Sequence, residues 1–244
     1  MITAPPPRLW VLIPAAGSGS RMQAAKPKQY LPLAGKTLLE VTLSKFVNRA
    51  DIDGLVLVAA ECDPDLAALE LNVQSCIGGA SRAESVLAGL KYLLAQSATE
   101  ADYVLVHDAA RPCVTSERID ALINAVLSQQ RGGLLACPVS DTLKQADTLK
   151  QADSHTPAAA INTLDRRHIW QAHTPQMFGL GALKQALEQA AVLGREVTDE
   201  ASAMEFMGAQ PLLVADRRDN IKVTLPEDLA LAEFILQRHE EQGL

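Results

Sequence analysis

The chain has 244 residues, with 22 Lys and Arg against 29 Asp and Glu, a net charge of −7 at pH 7. With 48% hydrophobic and 21% charged residues the composition is globular, and the acidic balance argues against nucleic acid as the main partner while leaving small anions to local basic groups. No stretch approaches the roughly 18 apolar residues of a membrane span, and the apolar run at 9–13 lacks the basic flank and cleavage site of a signal peptide, so a cytoplasmic protein without a membrane partner is expected.

Buried strands are predicted at 9–14, 55–59, 103–107 and 134–139, where near-continuous apolar runs occur. Helical periodicity covers 37–48, 82–95 and 116–129, and in the second of these Val86, Leu87, Leu90, Leu93 and Leu94 share one face. Strand alternating with helix predicts an α/β fold: a mostly parallel sheet with helices on both faces. Its site should lie in loops beyond the carboxyl ends of the strands. After Val139 the pattern breaks. Residues 140–165 are polar, without a helical or strand period, and hold a tandem copy of DTLKQA at 141–146 and 147–152. A repeat this short reads as a lengthened loop, not a solenoid. From Ile169 the α/β character returns, with helices at 180–193 and 226–238, the second opening on Pro226. Short strands are expected at 212–214 and 221–223. No linker separates two domains, so one domain, 1–244, is expected, with an insertion at about 139–167. Cys62, Cys76, Cys113 and Cys137 form no CxxC pair, so structural zinc and a disulfide framework are not expected.

Three strings invite chemistry. In PAAGSGSRM (14–22), a strand runs into a small-residue loop formed by Ala15, Ala16, Gly17, Ser18 and Gly19, whose backbone N–H groups can approach phosphates closely. No Gly-Lys-Ser/Thr follows, so it is not a Walker A loop, and Met22 stands where the dinucleotide fingerprint wants its third Gly or Ala. Arg21 and Lys28 bring two cations, which suits a triphosphate; the alternative is a plain Gly-rich turn with solvated cations. In VLVHDAARP (104–112), a strand delivers Asp108 to its carboxyl end with Arg111 in the next loop. A carboxylate there can hold Mg²⁺ against phosphate oxygens, or simply cap the turn and pair with Arg111. His107 reads as a packed strand residue, because no second His or Cys lies at ligand spacing. In GGASRAESV (78–86), Ser81 and Glu84 make a capping-box pattern, while Gly78, Gly79 and Ser85 could read a nucleobase edge. Arg166, Thr174, Thr198 and Lys222 in the C-terminal half are unremarkable singly.

Taken in order, PAAGSGSRM, KPKQYLPLAGKTLLE, GGASRAESVLAGL, VLVHDAARP, HTPQ, VTDEASA and DNIKVTLPEDLALAE resemble the 2-C-methyl-D-erythritol 4-phosphate cytidylyltransferase family over about residues 10–234. The resemblance implies a Rossmann-like nucleotidyltransferase (GT-A-like) fold, CTP and the polyol phosphate as substrates, Mg²⁺, and a homodimer through a protruding arm at 140–165. It places the family's transition-state cations on Arg21 and Lys28, its metal-associated aspartate on Asp108, and the acceptor-positioning cations on Arg166 and Lys222. Nucleotide contacts fall on residues 15–19, Gly78, Gly79, Ser85 and Asp108. Acceptor contacts fall on Asp108, Arg111, Thr142, Arg166, Thr174, Thr198 and Lys222. Two departures stand out: Ala80 replaces an acidic residue that many members carry after the glycine pair, and the duplicated hexapeptide makes Thr148 a second candidate beside Thr142. The near rival is a cytidylyltransferase for another polyol phosphate such as ribitol 5-phosphate; a nicotinamide-dependent oxidoreductase and a catalytically silent nucleotide-binding module are more distant ones.

Overall fold

The computed structural model describes residues 6–17, 26–66, 69, 73–146 and 159–244. Its first strand, β1 (Leu9–Pro14), sets the core by alternation. Leu9, Val11 and Ile13 join one apolar cluster with Leu39, Phe46 and Ile119, while Trp10 and Leu12 join another with Val86, Leu90 and Phe178. Successive side chains of a strand point to opposite faces, so a strand apolar at every position needs cover on both.

The chain continues through the small hairpin β2 (Pro32–Leu33) and β3 (Lys36–Thr37) to α1 (Leu38–Ser44), β4 (Gly54–Ala59), β5 (Gln74–Ile77) and α2 (Arg82–Gln96). Then come β6 (Tyr103–Val106), α3 (Ser116–Gln129), β7 (Gly133–Pro138) and the pair β8 (Leu143–Ala146) and β9 (Ala160–Leu164). The last elements are β10 (Trp170–Gly179), α4 (Leu180–Val192), α5 (Glu200–Phe206), β11 (Leu212–Ala215) and α6 (Pro226–Gln242).

Seven strands form one sheet in the order β5-β4-β1-β6-β10-β7-β11. β1 pairs parallel with β4 and β6, β4 with β5, and β7 with β11, whereas β10 runs antiparallel between β6 and β7. From β1 the chain moves outward to β4 and β5, then returns to lay β6 on the other side of β1. The loops after β1 and β6 therefore part at the carboxyl edge, the switch point at which open α/β sheets hold ligands. Close packing of α2 on β1 depends on Gly89, where an added Cβ would lie 2.2 Å from Leu12 Cδ1. A third apolar cluster, including Val223, Cys113, Ile235 and Leu236, seats α6 and the segment before it beside the Asp108 loop.

The expected α/β architecture is present, and β1 and α3 begin and end where the periodicity puts them. Three expectations are corrected. Ile221–Val223 joins no sheet among the described residues; Val223 N–H donates to the Ala110 carbonyl at 2.8 Å and the Val223 carbonyl accepts from Lys28 Nζ at 3.0 Å. The segment 140–165 is not without strand structure: β8 and β9 pair antiparallel. Because β9 is exposed at every position, it has no buried face on which an alternation would be visible. Residues 147–158, which include the second DTLKQA copy and Thr148, lie outside the described residues. Finally, β10 appears where no strand is predicted, because its sequence WQAHTPQMFG mixes buried polar residues with apolar ones.

Candidate active site

Two cavities meet at the carboxyl edge of the sheet. The larger, about 350 Å³, is lined by Ala15, Ala16 and Gly17 after β1, by Lys28, by the Gly79–Ala80–Ser81 loop, and by Arg82, Ser85, Asp108 and Lys222. The smaller, about 200 Å³, is lined by Arg111, Thr174, Gln176 and Thr198 together with Arg82, Asp108 and Lys222. Arg82, Asp108 and Lys222 thus form the wall common to both.

Each edge of the larger cavity is fixed from its local sequence. A single 3-10 turn, Lys28–Tyr30, follows Pro27, and buried Gln29 donates its Nε2–H to the Ala15 carbonyl at 2.9 Å, tying that turn to the small-residue loop. Lys28 Nζ donates to the Val223 carbonyl at 3.0 Å, beside Lys222. A Cβ at Gly17 would meet nothing within 4 Å, so nothing described in the chain itself demands glycine there; a closely bound phosphate would. Gly78 differs, since a Cβ would lie 2.7 Å from Ser85 Oγ. Ser81 caps α2 by accepting from Glu84 N–H at 3.1 Å, and the Glu84 carboxylate reaches back to Ala80 N–H at 3.0 Å. Ser85 Oγ accepts from Gly79 N–H at 3.1 Å and donates to the Ser81 carbonyl at 2.9 Å, so its first role is to hold the loop that borders the cleft.

Asp108 is the electrostatic centre. Its carboxylate lies 2.7 Å from Lys222 Nζ, 3.1 Å from Arg82 Nε and 3.8 Å from Arg111 Nε. Burial pushes its carboxyl up, but the Arg82, Lys222 and Arg111 cations outweigh that and hold it well below the usual carboxylate range. Arg82 also makes a two-pronged pair with Glu200, at 2.6 and 3.1 Å. Burial lowers the Arg82 guanidinium's hold on its proton, but Glu200 and Asp108 raise it further still. Arg111 donates to the Asn220 carbonyl at 2.6 Å, while its buried Nε has no hydrogen-bond partner among the described residues. Asn220 in turn donates to the Thr174 carbonyl at 3.0 Å and to Asp216 at 2.8 Å, and Asp216 pairs with His173 Nδ1 at 2.7 Å. This network fixes the Lys222 segment against β10.

His107 is a fully buried structural group, as its sequence context suggests. Thr174 Oγ1 accepts from Asp108 N–H at 3.0 Å and meets His107 Nδ1 at 3.0 Å, while His107 Nε2 meets the Arg111 carbonyl at 3.0 Å. A neutral ring protonated on Nε2 satisfies the whole chain: Thr174 donates to Nδ1, and Nε2–H donates to the carbonyl. Burial lowers the His107 value from 6.5 to about 4. Between those values the unfolded chain binds the proton and the folded chain does not, so stability is present above pH 6.5 and is lost as pH falls toward 4. In His107→Gln the loss over that range is expected to be shallower, read from urea midpoints. An equal slope in both proteins would assign it to other groups.

Of the residues expected in the site, Ala15, Ala16, Gly17, Lys28, Gly79, Ser85, Asp108, Arg111, Thr174, Thr198 and Lys222 border one or both cavities, and Gly78 packs directly behind Ser85. Ser18, Gly19 and Arg21 lie outside the described residues. Thr142, just before β8, and Arg166, just after β9, are exposed and line neither cavity of their own chain. Sequence reasoning gave no role to Arg82 or Glu200. The available signal was electrostatic: Arg82 stands in the first turn of α2, where the helix dipole favours anions.

A family model described as 2-C-methyl-D-erythritol 4-phosphate cytidylyltransferase matches residues 9–238. A 2-C-methyl-D-erythritol 4-phosphate cytidylyltransferase from Pseudomonas paraeruginosa is 48% identical over 233 residues, covering 94% of this chain and 96% of the relative. One from Pseudomonas putida is 50% identical over 236 residues, with 95% and 96% covered. Among solved structures, the Francisella tularensis 2-C-methyl-D-erythritol 4-phosphate cytidylyltransferase superposes with a TM-score of 0.79 at 35% identity, covering 93% of this chain and 99% of that one. A 4-diphosphocytidyl-2C-methyl-D-erythritol synthase also gives 0.79, at 37% identity and 96% and 100% coverage.

Proposed function

Because the chain belongs to the 2-C-methyl-D-erythritol 4-phosphate cytidylyltransferase family, we propose how its residues divide the work of that reaction. The enzyme moves a cytidylyl group from CTP to 2-C-methyl-D-erythritol 4-phosphate, giving 4-diphosphocytidyl-2-C-methyl-D-erythritol and pyrophosphate for isoprenoid synthesis. The observation that supports our division is the shared wall. The larger cavity takes the nucleotide, the smaller takes the acceptor, and the two phosphates meet at Asp108, Arg82 and Lys222.

The acceptor phosphate is a monoester with a second pKa near 6, largely dianionic at neutral pH, so it attacks the α-phosphorus without a general base. The obstacle is the approach of one anion to another in line, which positioning and fixed cations overcome. Backbone N–H groups of the loop at 15–19 and the cations Arg21 and Lys28 hold the triphosphate and stabilise charge as it builds on the α-phosphate. Lys222 and Arg111 orient the acceptor phosphate, and Arg111 Nε would gain the partner it lacks. Thr198 borders the acceptor cavity, and Thr174 shapes its wall while fixing the Asp108 backbone. We assign Thr142 and Arg166 to the acceptor site of a second subunit. The arm that carries them leaves Ile161, Leu164 and the nearby Trp170 exposed, an apolar strip that a homodimer would cover.

Mg²⁺ is assigned to Asp108. Among the described residues no group of three His, Cys, Asp or Glu could hold a metal unaided, but Mg²⁺ commonly uses one or two carboxylates plus substrate phosphates. A metal that arrives with the triphosphate fits this donor set, and when bound it neutralises phosphate charge. In Asp108→Asn, CTP binding followed by calorimetry is expected to need more Mg²⁺, and turnover should fall. Unchanged Mg²⁺ dependence with activity restored by raising pH would instead assign proton transfer to Asp108.

Among the described residues no helix is long and apolar enough to cross a membrane, and we place the enzyme with its small-molecule substrates in the cytoplasm. The reading is tested by mass detection of the CDP-linked product from CTP with methylerythritol phosphate and, in parallel, with ribitol 5-phosphate. Equal use of ribitol 5-phosphate would overturn the acceptor assignment.

A further inference from the structure

We propose that Arg82 is a further catalytic residue, a guanidinium that contacts the phosphoryl group in transfer, and that Glu200 is the positioning residue that aims it. The inference rests on cytidylyl transfer at the shared wall, and it begins with a pairing that stability does not explain. The Glu200 side chain is 2% exposed and Asp108 10%, yet both carboxylates are joined through the one Arg82 side chain, itself 29% exposed. Burying charges this way carries a heavy desolvation penalty, and well-packed apolar residues commonly do as well or better. The first turn of α2 is also an unfavourable place for a cation. Such a cluster is better explained by what the guanidinium faces.

What it faces is both cavities. Of the three residues on their shared wall, Asp108 is an anion, so Arg82 and Lys222 are the cations that border nucleotide and acceptor alike. A guanidinium carries five N–H donors. Three are engaged, Nε to Asp108 and one on each terminal nitrogen to Glu200, which leaves two, one on each terminal nitrogen, without a partner among the described residues. The two-pronged Glu200 contact fixes the plane of the fork, so those donors are held in place before substrate arrives. Glu200 opens α5, two residues after Thr198 in the acceptor cavity, whereas Arg82 opens α2 beside the nucleotide loop. The pair therefore joins the two substrate walls, and Arg82 itself borders both cavities. A preorganised donor of this kind acts on the charge that develops in the transition state.

The test compares wild type, Arg82→Ala, Arg82→Lys and Glu200→Gln, with thermal midpoints alongside steady-state kinetics for both substrates. Arg82→Ala is expected to lower kcat about 100-fold while each KM changes less than tenfold, and added guanidinium chloride at low millimolar concentration should restore turnover saturably where equal NaCl does not. Arg82→Lys keeps the charge but cannot serve the fork and the phosphate together, so kcat should fall about tenfold with the thermal midpoint nearly unchanged. Glu200→Gln should fall between wild type and Arg82→Ala in kcat. If Arg82→Ala does not fold, Arg82→Lys decides: wild-type kcat in that variant overturns the proposal. So does a folded Arg82→Ala whose loss is all in KM, or whose kcat guanidinium does not restore. Wild type failing to form the CDP-linked product would instead reject the reaction assignment itself.

Discussion

Replacing Lys28 with alanine is expected to lower kcat by about 10²–10³-fold while raising the KM for CTP by less than tenfold. The neutral backbone donors proposed for the triphosphate do not depend on Lys28, so ground-state binding of CTP is expected to be largely kept. What disappears, on the proposed assignment, is a full charge that would stabilise the phosphate as it gains negative charge during in-line attack. The geometry supports a folded variant. Lys28 belongs to a one-turn segment anchored by buried Gln29 to the Ala15 carbonyl, and that anchor is untouched. Its bond to the Val223 carbonyl comes from a half-buried side chain and is worth about 0.5–1.5 kcal/mol. The thermal midpoint should therefore move by only a few degrees. A variant with wild-type kcat and only a weakened KM would show that Lys28 binds substrate and transition state equally, and the electrostatic role would pass to the other cations.

The parts of the molecule that sequence made legible share one property: each is buried for a reason that repeats along the chain. β1, β4, β6 and β7 are apolar because both faces of a central strand are covered, and α2 shows Val86, Leu90 and Leu93 because one face of a helix must be. β10 is the exception. Its central residues, from His173 to Gln176, are buried among polar partners, with Thr174 holding Asp108 and Gln176 bonded to Asp199 and to Ala201 N–H. A strand whose buried side chains serve a site loses the apolar signature that would identify it. The site divides in the same way. Loops that approach phosphates leave short strings of small residues with nearby cations, and these read directly. The Arg82–Glu200 pair spans 118 residues, and no periodicity marks a contact at that separation. The segment around Lys222 reads as a strand because Ile221 and Val223 flank a lysine, yet its apolar residues pack beneath α6 and its backbone bonds run to the Asp108 loop and to Lys28.

Mixing two inactive variants should restore activity if the arm serves the neighbouring subunit. Lys28→Ala removes a cation from the larger cavity of its own chain, whereas Arg166 and Thr142 stand exposed, outside both cavities of theirs. Each homodimer, Lys28→Ala or Arg166→Ala, is expected to be nearly inactive, since both of its sites carry one lesion. In a two-fold dimer with exchanged arms, the mixed species gathers both lesions in one site and leaves the other intact. A purified heterodimer should thus show about half of wild-type turnover, and random exchange of equal amounts, which makes about half of the dimers mixed, should show about a quarter. Differently tagged chains purified in tandem provide the measurement, with native mass spectrometry to verify exchange. The Arg166→Ala substitution lies at an exposed turn, so its own fold should be intact. Activity near zero in a verified heterodimer would mean that Arg166 reaches the acceptor of its own subunit, and the exposed strip of Ile161, Leu164 and Trp170 would need a cover other than an exchanged arm.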